Sequence, residues 1–345
     1  MEVDFIIVGC GLAGIHFCEL AIRHNKTVLV IDNNSQQSST VAGGLYNPVV
    51  LKRFTPVWKG EEQLELVKTT YDALEKKLQV KLDYNIPVKR IFKSIEEQNN
   101  WFIASDNENL TPFLSTEIIK NTNSDIQAPF GLGQVNHTGR IDTLLLIQSY
   151  KKYLKSKQVL LQEEFQYQHV QVTNHKVAYN KYTAKHLVFA EGFGLKSNPF
   201  FNHLPLKGTK GELLTIYAPK LQIDYVLKGS VFLIPLEKDL YKVGATYEWE
   251  DKSNTTTEKG KMELLTKLKT VIRCPFEIVE QQAGIRPTVI DRKPLVGTHP
   301  EYKKLHVLNG LGTRGVMIAP YAAKALYNHI EHQIPLENEI NSNRF

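Results

Sequence analysis

Cysteine is scarce in this chain: its 345 residues hold three, Cys10, Cys18 and Cys274. None forms a CxxC pair, so no disulfide framework is expected. No uninterrupted apolar run is long enough to span a bilayer. The first residues carry Glu2 and Asp4 instead of a basic patch, so the apolar start reads as a core strand rather than a signal peptide, and the expected location is cytoplasmic, away from membranes. No G-x-S-x-G elbow occurs, which removes hydrolase readings. Histidine offers no metal site either. His329 and His332 flank Glu331 with no further ligand nearby in sequence, the pattern of a solvated helix face. There is no internal repeat and no low-complexity tract.

What is present is an ordinary globular composition, 42% hydrophobic and 23% charged, with a net charge of +6. The length suits two consecutive or interleaved domains. A mild positive excess favours an anionic partner such as a nucleotide, a carboxylate or RNA. The lysines of "SYKKYLKSK", Ser149 to Lys157, accompany apolar residues at helical spacing and read as the solvated face of an amphipathic helix.

The stretch "DFIIVGCGLAGIHF", Asp4 to Phe17, carries the sharpest signal. "FIIV" reads as a strand buried on both faces, and a helix begins within the glycine turn. In such a turn Gly9 permits the bend, Gly11 lets the backbone approach a ligand, and Gly14 lets the helix lie against the strand. The helix N-terminus then faces a pyrophosphate. A second apolar strand, "TVLVI", ends in Asp32, about 20 residues beyond the last glycine, where an acid accepts hydrogen bonds from a ribose.

Beyond Asp32, the Ser-, Asn- and Gly-rich segment containing Gly43 and Gly44 reads as a loop near the cofactor. "GEEQLELVKTTYDALEKKL", Gly60 to Leu78, is an amphipathic helix, while "VKRIFKS" and "WFIAS" alternate like half-wet strands. "DTLLLIQSYKKYL" returns to helix with Asp142 as N-cap, and "KHLVFAEG" reads as a third nucleotide-domain strand ending at Gly192. Short alternating runs from Gly208 to Tyr247 suggest an antiparallel sheet. "GLGTRGVMIAPYAAKALYNHI" is a second glycine-rich entry into a helix, able to present N–H groups to developing negative charge.

Taken in order, "VGCGLAG", Asp32, the "AGG" loop, "GRID", "VFAEG", "KGTKGE", "VGATYE", "GIRPTVIDRKPLVG" and "GLGTRGVMIAP" resemble the flavin-dependent oxidoreductases of the D-amino-acid oxidase and glycine oxidase (DAO) superfamily. Within it, "GGLYNP", "VGATYE" and "GLGTRGVMIAPYAA" look most like the flavin domain of the bifunctional tRNA wobble-uridine modification enzymes. The resemblance implies an α/β architecture: a glutathione-reductase-type FAD-binding Rossmann domain from 1–58, 127–204 and 280–345. This is interleaved with an α+β substrate domain, built on an antiparallel sheet, from 59–126 and 205–279.

It also implies FAD, held non-covalently, since Cys274 precedes "GIRP" and matches no flavin-tethering position. Gly9, Gly11, Leu12, Ala13 and Gly14 match the pyrophosphate turn and Asp32 the ribose acid. Ser38, Gly43, Gly44 and Leu45 match the loop beside the cofactor, Gly192 the end of the third strand, and Gly312, Thr313, Gly315 and Val316 the segment under the flavin ring. Arg286 matches the arginine that grips a substrate carboxylate, for which its rigid bidentate fork suits it; otherwise it forms a structural ion pair, with Asp291 as partner. Tyr247 is either a substrate-facing aromatic or a half-buried strand tyrosine. Arg314 either faces substrate or caps a turn.

The function implied is oxidation of the C–N bond of an N-substituted glycine or amino acid, with carboxymethylaminomethyl-uridine in tRNA as the alternative substrate. The partners are thus a small amine or amino acid, or tRNA. The non-enzyme rival is an FAD-binding protein without turnover, in which Arg286→Ala changes nothing. A nicotinamide dehydrogenase would need no second glycine-rich helix.

Overall fold

The computed structural model describes residues 1–345. Strand β1 (Glu2–Val8), helix α1 (Leu12–Arg23) and strand β2 (Val28–Ile31) form the opening unit. All four residues of β2 are buried, as are Phe5 to Val8 of β1, because helices cover one face of the parallel sheet and a layer that includes Phe165, Tyr179 and Phe201 covers the other. β1 runs parallel to β2 on one side and to strand Tyr182–Phe189 on the other. Strand Leu305–Asn309 adds parallel to the end of Tyr182–Phe189. The helices Gly60–Leu78, Thr143–Ser156 and Gly315–His332 share one core with α1, through residues such as Tyr71, Leu146, Tyr150 and Leu326. No helix is long and apolar enough to cross a membrane.

The second sheet has eight strands: Glu277–Val289 at one edge, then Leu206–Tyr217, Leu240–Gly244, Phe232–Pro235, Val226–Lys228, Val88–Ile91, Leu132–Val135 and Leu114–Ile119. Neighbours are antiparallel except Val226–Lys228 and Val88–Ile91, which run parallel. Pro287 lies within the edge strand, where the missing N–H costs no ladder bond.

Three expectations change. "WFIAS" is not a strand but the end of helix Ile95–Ser105. Ser94 Oγ accepts from the N–H of Glu97, and Glu97 in turn accepts from the N–H of Lys93, a capping arrangement that outweighs five alternating residues. Helix Gly60–Leu78, expected with the substrate domain, buries Val67, Tyr71 and Leu74 in the core around α1. Conversely Leu132–Val135, expected with the nucleotide domain, pairs with Val88–Ile91 in the second sheet.

Candidate active site

A cavity of about 1280 Å³ lies where the parallel strands of the first sheet end against the second sheet, large for a small-molecule site. Gly9, Gly11, Leu12, Ala13, Asp32, Ser38, Gly43, Gly44, Leu45, Gly192, Gly312, Thr313, Gly315 and Val316 all line it, as do Tyr247, Arg286 and Arg314. Gly14 does not. It lies behind the turn, where a Cβ would stand 1.9 Å from the carbonyl oxygen of Gly9. Gly9 itself has φ +100° and leaves 2.4 Å between a Cβ and the carbonyl oxygen of Ala190, so only glycine fits the bend.

Two helices aim their N-termini into this cavity, and neither is capped by its own N-cap side chain: α1 after Gly11, and Gly315–His332 after Arg314. The first N–H of α1, at Leu12, reaches only Ser39 Oγ at 3.3 Å. Free N–H groups and a positive dipole end favour negative charge. The second helix is anchored by a device of its own sequence. Pro320 has no N–H to donate to the carbonyl of Val316, and the Tyr71 hydroxyl donates to that carbonyl instead at 3.1 Å. His16 Nε2 donates in turn to the Tyr71 oxygen at 3.0 Å.

Asp32 accepts from the N–H of Cys10 at 2.9 Å, and Lys151 Nζ lies 2.9 Å from its Oδ2. Lys151 therefore leaves the lysine cluster expected to be solvated. It is turned inward because its helix packs beside β2, a neighbour that no local pattern names. Glu191, also unforeseen as a site residue, lines the cavity just past Tyr182–Phe189. Burial pushes its carboxyl up to about 7, although the Tyr167 hydroxyl and Asn198 Nδ2 both donate to it.

A raised acid favours the folded state while protonated. That contribution is complete below about 4.5 and is lost as pH rises through about 7. Between about pH 5 and about pH 8 the stability difference between Glu191→Gln and the natural protein is expected to move by about 3 kcal/mol in favour of the variant, read from urea titrations.

On the facing sheet, Arg286 Nη1 donates to the carbonyl of Thr246 at 3.2 Å, and its guanidinium carbon lies 4.7 Å from the centre of the Tyr247 ring. Asp291 is not its partner: that carboxylate takes Arg344 at 2.8 Å. Burial pulls Arg286 below the ordinary guanidinium pKa, yet it stays charged at any working pH. Gly211 makes room for it, since a Cβ there would stand 1.9 Å from Nη2; the cross-strand pairing of Gly211 with Gly284 was invisible in sequence. Tyr247 is 59% exposed, not a half-buried strand residue. Arg314 is the N-cap residue of the C-terminal helix, and its Nη1 is buried with no partner.

Helix N-termini without a side-chain cap, a turn only glycine can make and an acid at the end of β2 fit a dinucleotide. Together they define a dinucleotide-binding protein. The profile of the FAD dependent oxidoreductase (DAO) family matches residues 4–328, and the chain belongs to that family. It is 29% identical over 144 residues to the glycine oxidase of Bacillus subtilis, covering 40% of this chain and 38% of that protein. Over 175 residues it is 25% identical to the tRNA 5-methylaminomethyl-2-thiouridine biosynthesis bifunctional protein MnmC of Azoarcus sp., covering 44% of this chain and 28% of that one. The matched region thus spans well under half the length of either relative. In fold it is similar to glycine oxidase from Geobacillus kaustophilus, with a TM-score of 0.82 at 16% identity, covering 98% and 97% of the two chains.

Proposed function

We propose that this protein oxidises the C–N bond of a glycine-like amine, an N-substituted glycine or amino acid. The observation that carries this reading is Arg286, a guanidinium beside the cavity with no carboxylate of its own. Bound FAD supplies a two-electron acceptor. Arg286 grips the substrate carboxylate through its fork and so fixes the neighbouring carbon. The Tyr247 ring, stacked on the same guanidinium, limits where that fork can turn. The N-terminus of the C-terminal helix, held by Tyr71, offers its N–H groups to negative charge developing nearby.

The substrate carbon loses a hydride and its nitrogen a proton. Water adds to the resulting imine, releasing the amine and an oxoacid. Gly9, Gly11, Leu12 and Ala13 hold the pyrophosphate, Gly14 the strand–helix contact, and Asp32 the ribose. Ser38, Gly43, Gly44, Leu45, Gly192, Gly312, Thr313, Gly315 and Val316 hold the rest of the cofactor without a covalent bond. The functional division follows the two sheets.

A second reading, carboxymethylaminomethyl-uridine in tRNA, is favoured by the exposed lining of the cavity. Lys52, Arg53, Arg292 and Trp249, the last 54% exposed, are all exposed residues lining the cavity, cations and an aromatic face suited to a nucleic-acid strand. Purified protein is expected to be yellow, with acid-releasable flavin whose absorbance bleaches anaerobically on adding the right amine. No bleaching by any N-substituted glycine, free or in RNA, rejects the reaction. Wobble-uridine profiles of tRNA from cells with and without the gene separate the substrates. Carboxymethylaminomethyl-uridine accumulating only in its absence selects RNA, and an unchanged profile selects a free amine.

A further inference from the structure

We infer that the cavity contains a second anion subsite, formed by Lys228 and Phe232, which receives a phosphate group of a nucleotidyl substrate whose carboxylate end lies at Arg286. The inference rests on the reaction proposed above and narrows its substrate to a large, phosphorylated one.

Lys228 ends the short strand Val226–Lys228 and lines the cavity. Its ammonium stands 4.4 Å from the centre of the Phe232 ring. Burial, and then the neighbouring cations Arg90, Lys93 and Lys267, pull its pKa down to about 8. Of these, Arg90 is paired with Glu97 at 2.5 Å and Lys267 with Glu263 at 2.6 Å, while Lys228 has no carboxylate of its own. A half-buried cation among cations, with no carboxylate to offset it, is a costly arrangement in the free protein; an anionic ligand removes that cost.

Of the acids on the cavity wall, Asp32, Glu163, Glu164 and Glu191 follow strands of the first sheet and Asp291 follows Glu277–Val289 of the second, where it is held by Arg344; the second sheet's own strands contribute Lys228 and Arg286 and no acid. Strand register places these two cations on one face. Lys228 lies opposite Phe232, Phe232 opposite Gly244, Gly244 opposite Leu213, and Leu213 opposite Gln282. Arg286 is four residues further along the strand of Gln282, hence on the same side.

The two cations lie four strand spacings apart, about 19 Å across the strands, and Arg286 stands a further four residues, about 14 Å, along its own strand. A free amino acid cannot reach both. A nucleotide chain can, and Gly244 and Leu213, on the intervening strands, both line the cavity. Exposed Lys52 and Arg53 flank the same end and extend the positive field outward.

The test compares KM for three amines on the FAD-loaded protein: carboxymethylaminomethyl-uridine nucleoside, its 5′-monophosphate, and an RNA hairpin carrying it in the loop. The natural protein is expected to show a KM for a phosphorylated substrate at least about 10-fold below that of the nucleoside. In Lys228→Gln that ratio is expected to approach about 1, and Lys228→Arg is expected to restore most of it. For the hairpin, Lys228→Gln is expected to lower the slope of log affinity against log salt by about 0.7.

A gain already present with the monophosphate assigns the subsite to the nucleotide's own phosphate. A gain only with the hairpin assigns it to the RNA chain. Equal KM values for all three substrates, or an unchanged ratio in Lys228→Gln, overturn the subsite. If none of the three is turned over, the proposed reaction fails, while fluorescence anisotropy of the labelled hairpin still reads the subsite. Equal affinity for Lys228→Gln and the natural protein then rejects it as well.

Discussion

Arg286→Met is expected to lower kcat/KM for a glycine-type amine by about 10³-fold, roughly 4 kcal/mol of transition-state stabilisation, while the protein keeps its FAD. Two charge-assisted hydrogen bonds to a carboxylate are of that size. Arg286→Lys is expected to recover only part of the loss, because an ammonium restores the charge without the fork. The same substitution has a second, opposite readout. Arg286 holds one carbonyl contact and no counter-charge, so methionine is expected to raise the stability of the amine-free protein by about 1–2 kcal/mol in a denaturant titration. Loss of turnover with gain of stability identifies a charge kept for a ligand. Loss of both marks a structural arginine, and a change in kcat/KM of under about 3-fold rejects the carboxylate role.

Gly14→Ala and Gly11→Ala are expected to separate folding from cofactor retention. At Gly14 the new methyl meets the backbone oxygen of Gly9 at 1.9 Å, and that backbone atom, in a tight turn where the Gly9 N–H donates to the carbonyl of Ile31, cannot move aside. A destabilisation on the order of 3 kcal/mol or more is expected, seen as a large fall in melting temperature or in soluble yield. At Gly11 the nearest atom is Ser39 Oγ at 3.2 Å, the end of a side chain that can rotate. There the melting temperature of the FAD-free protein is expected to change little, while FAD affinity falls at least about 10-fold, because the added methyl narrows the approach to the N-terminus of α1. If Gly11→Ala retains FAD like the natural protein, the turn is not a pyrophosphate cradle.

Legibility in the sequence tracked the range of each interaction. The β1–α1–β2 unit was readable because continuous apolar runs, a glycine bend and a terminal acid all fall within one short segment. Helix Gly60–Leu78 and the Asp142 cap were readable for the same reason, and Asp142 does accept from the N–H of Leu145 at 3.0 Å. "WFIAS" misled because five residues cannot separate a period of two from a period of 3.6, although Ser94 and Glu97 already marked the start of a helix. Lys151 misled differently: its lysine neighbours do face solvent, and only the docking of its helix beside β2 turns this one toward Asp32.

The sequence by itself determined the dinucleotide turn, the second glycine-led helix and the identity of Arg286 as a candidate grip, since each depends on residues close in the chain or on their ordered succession. Tertiary structure alone decided that Asp291 belongs to Arg344, that Gly211 opens the space for Arg286, and that Lys228 shares a sheet face with that arginine. Those outcomes depend on strand register and on which sheet each segment joins, and a shift of one residue would send every side chain to the opposite face. No local pattern encodes a pairing between residues so far apart in the chain; the packing of the whole molecule selects it.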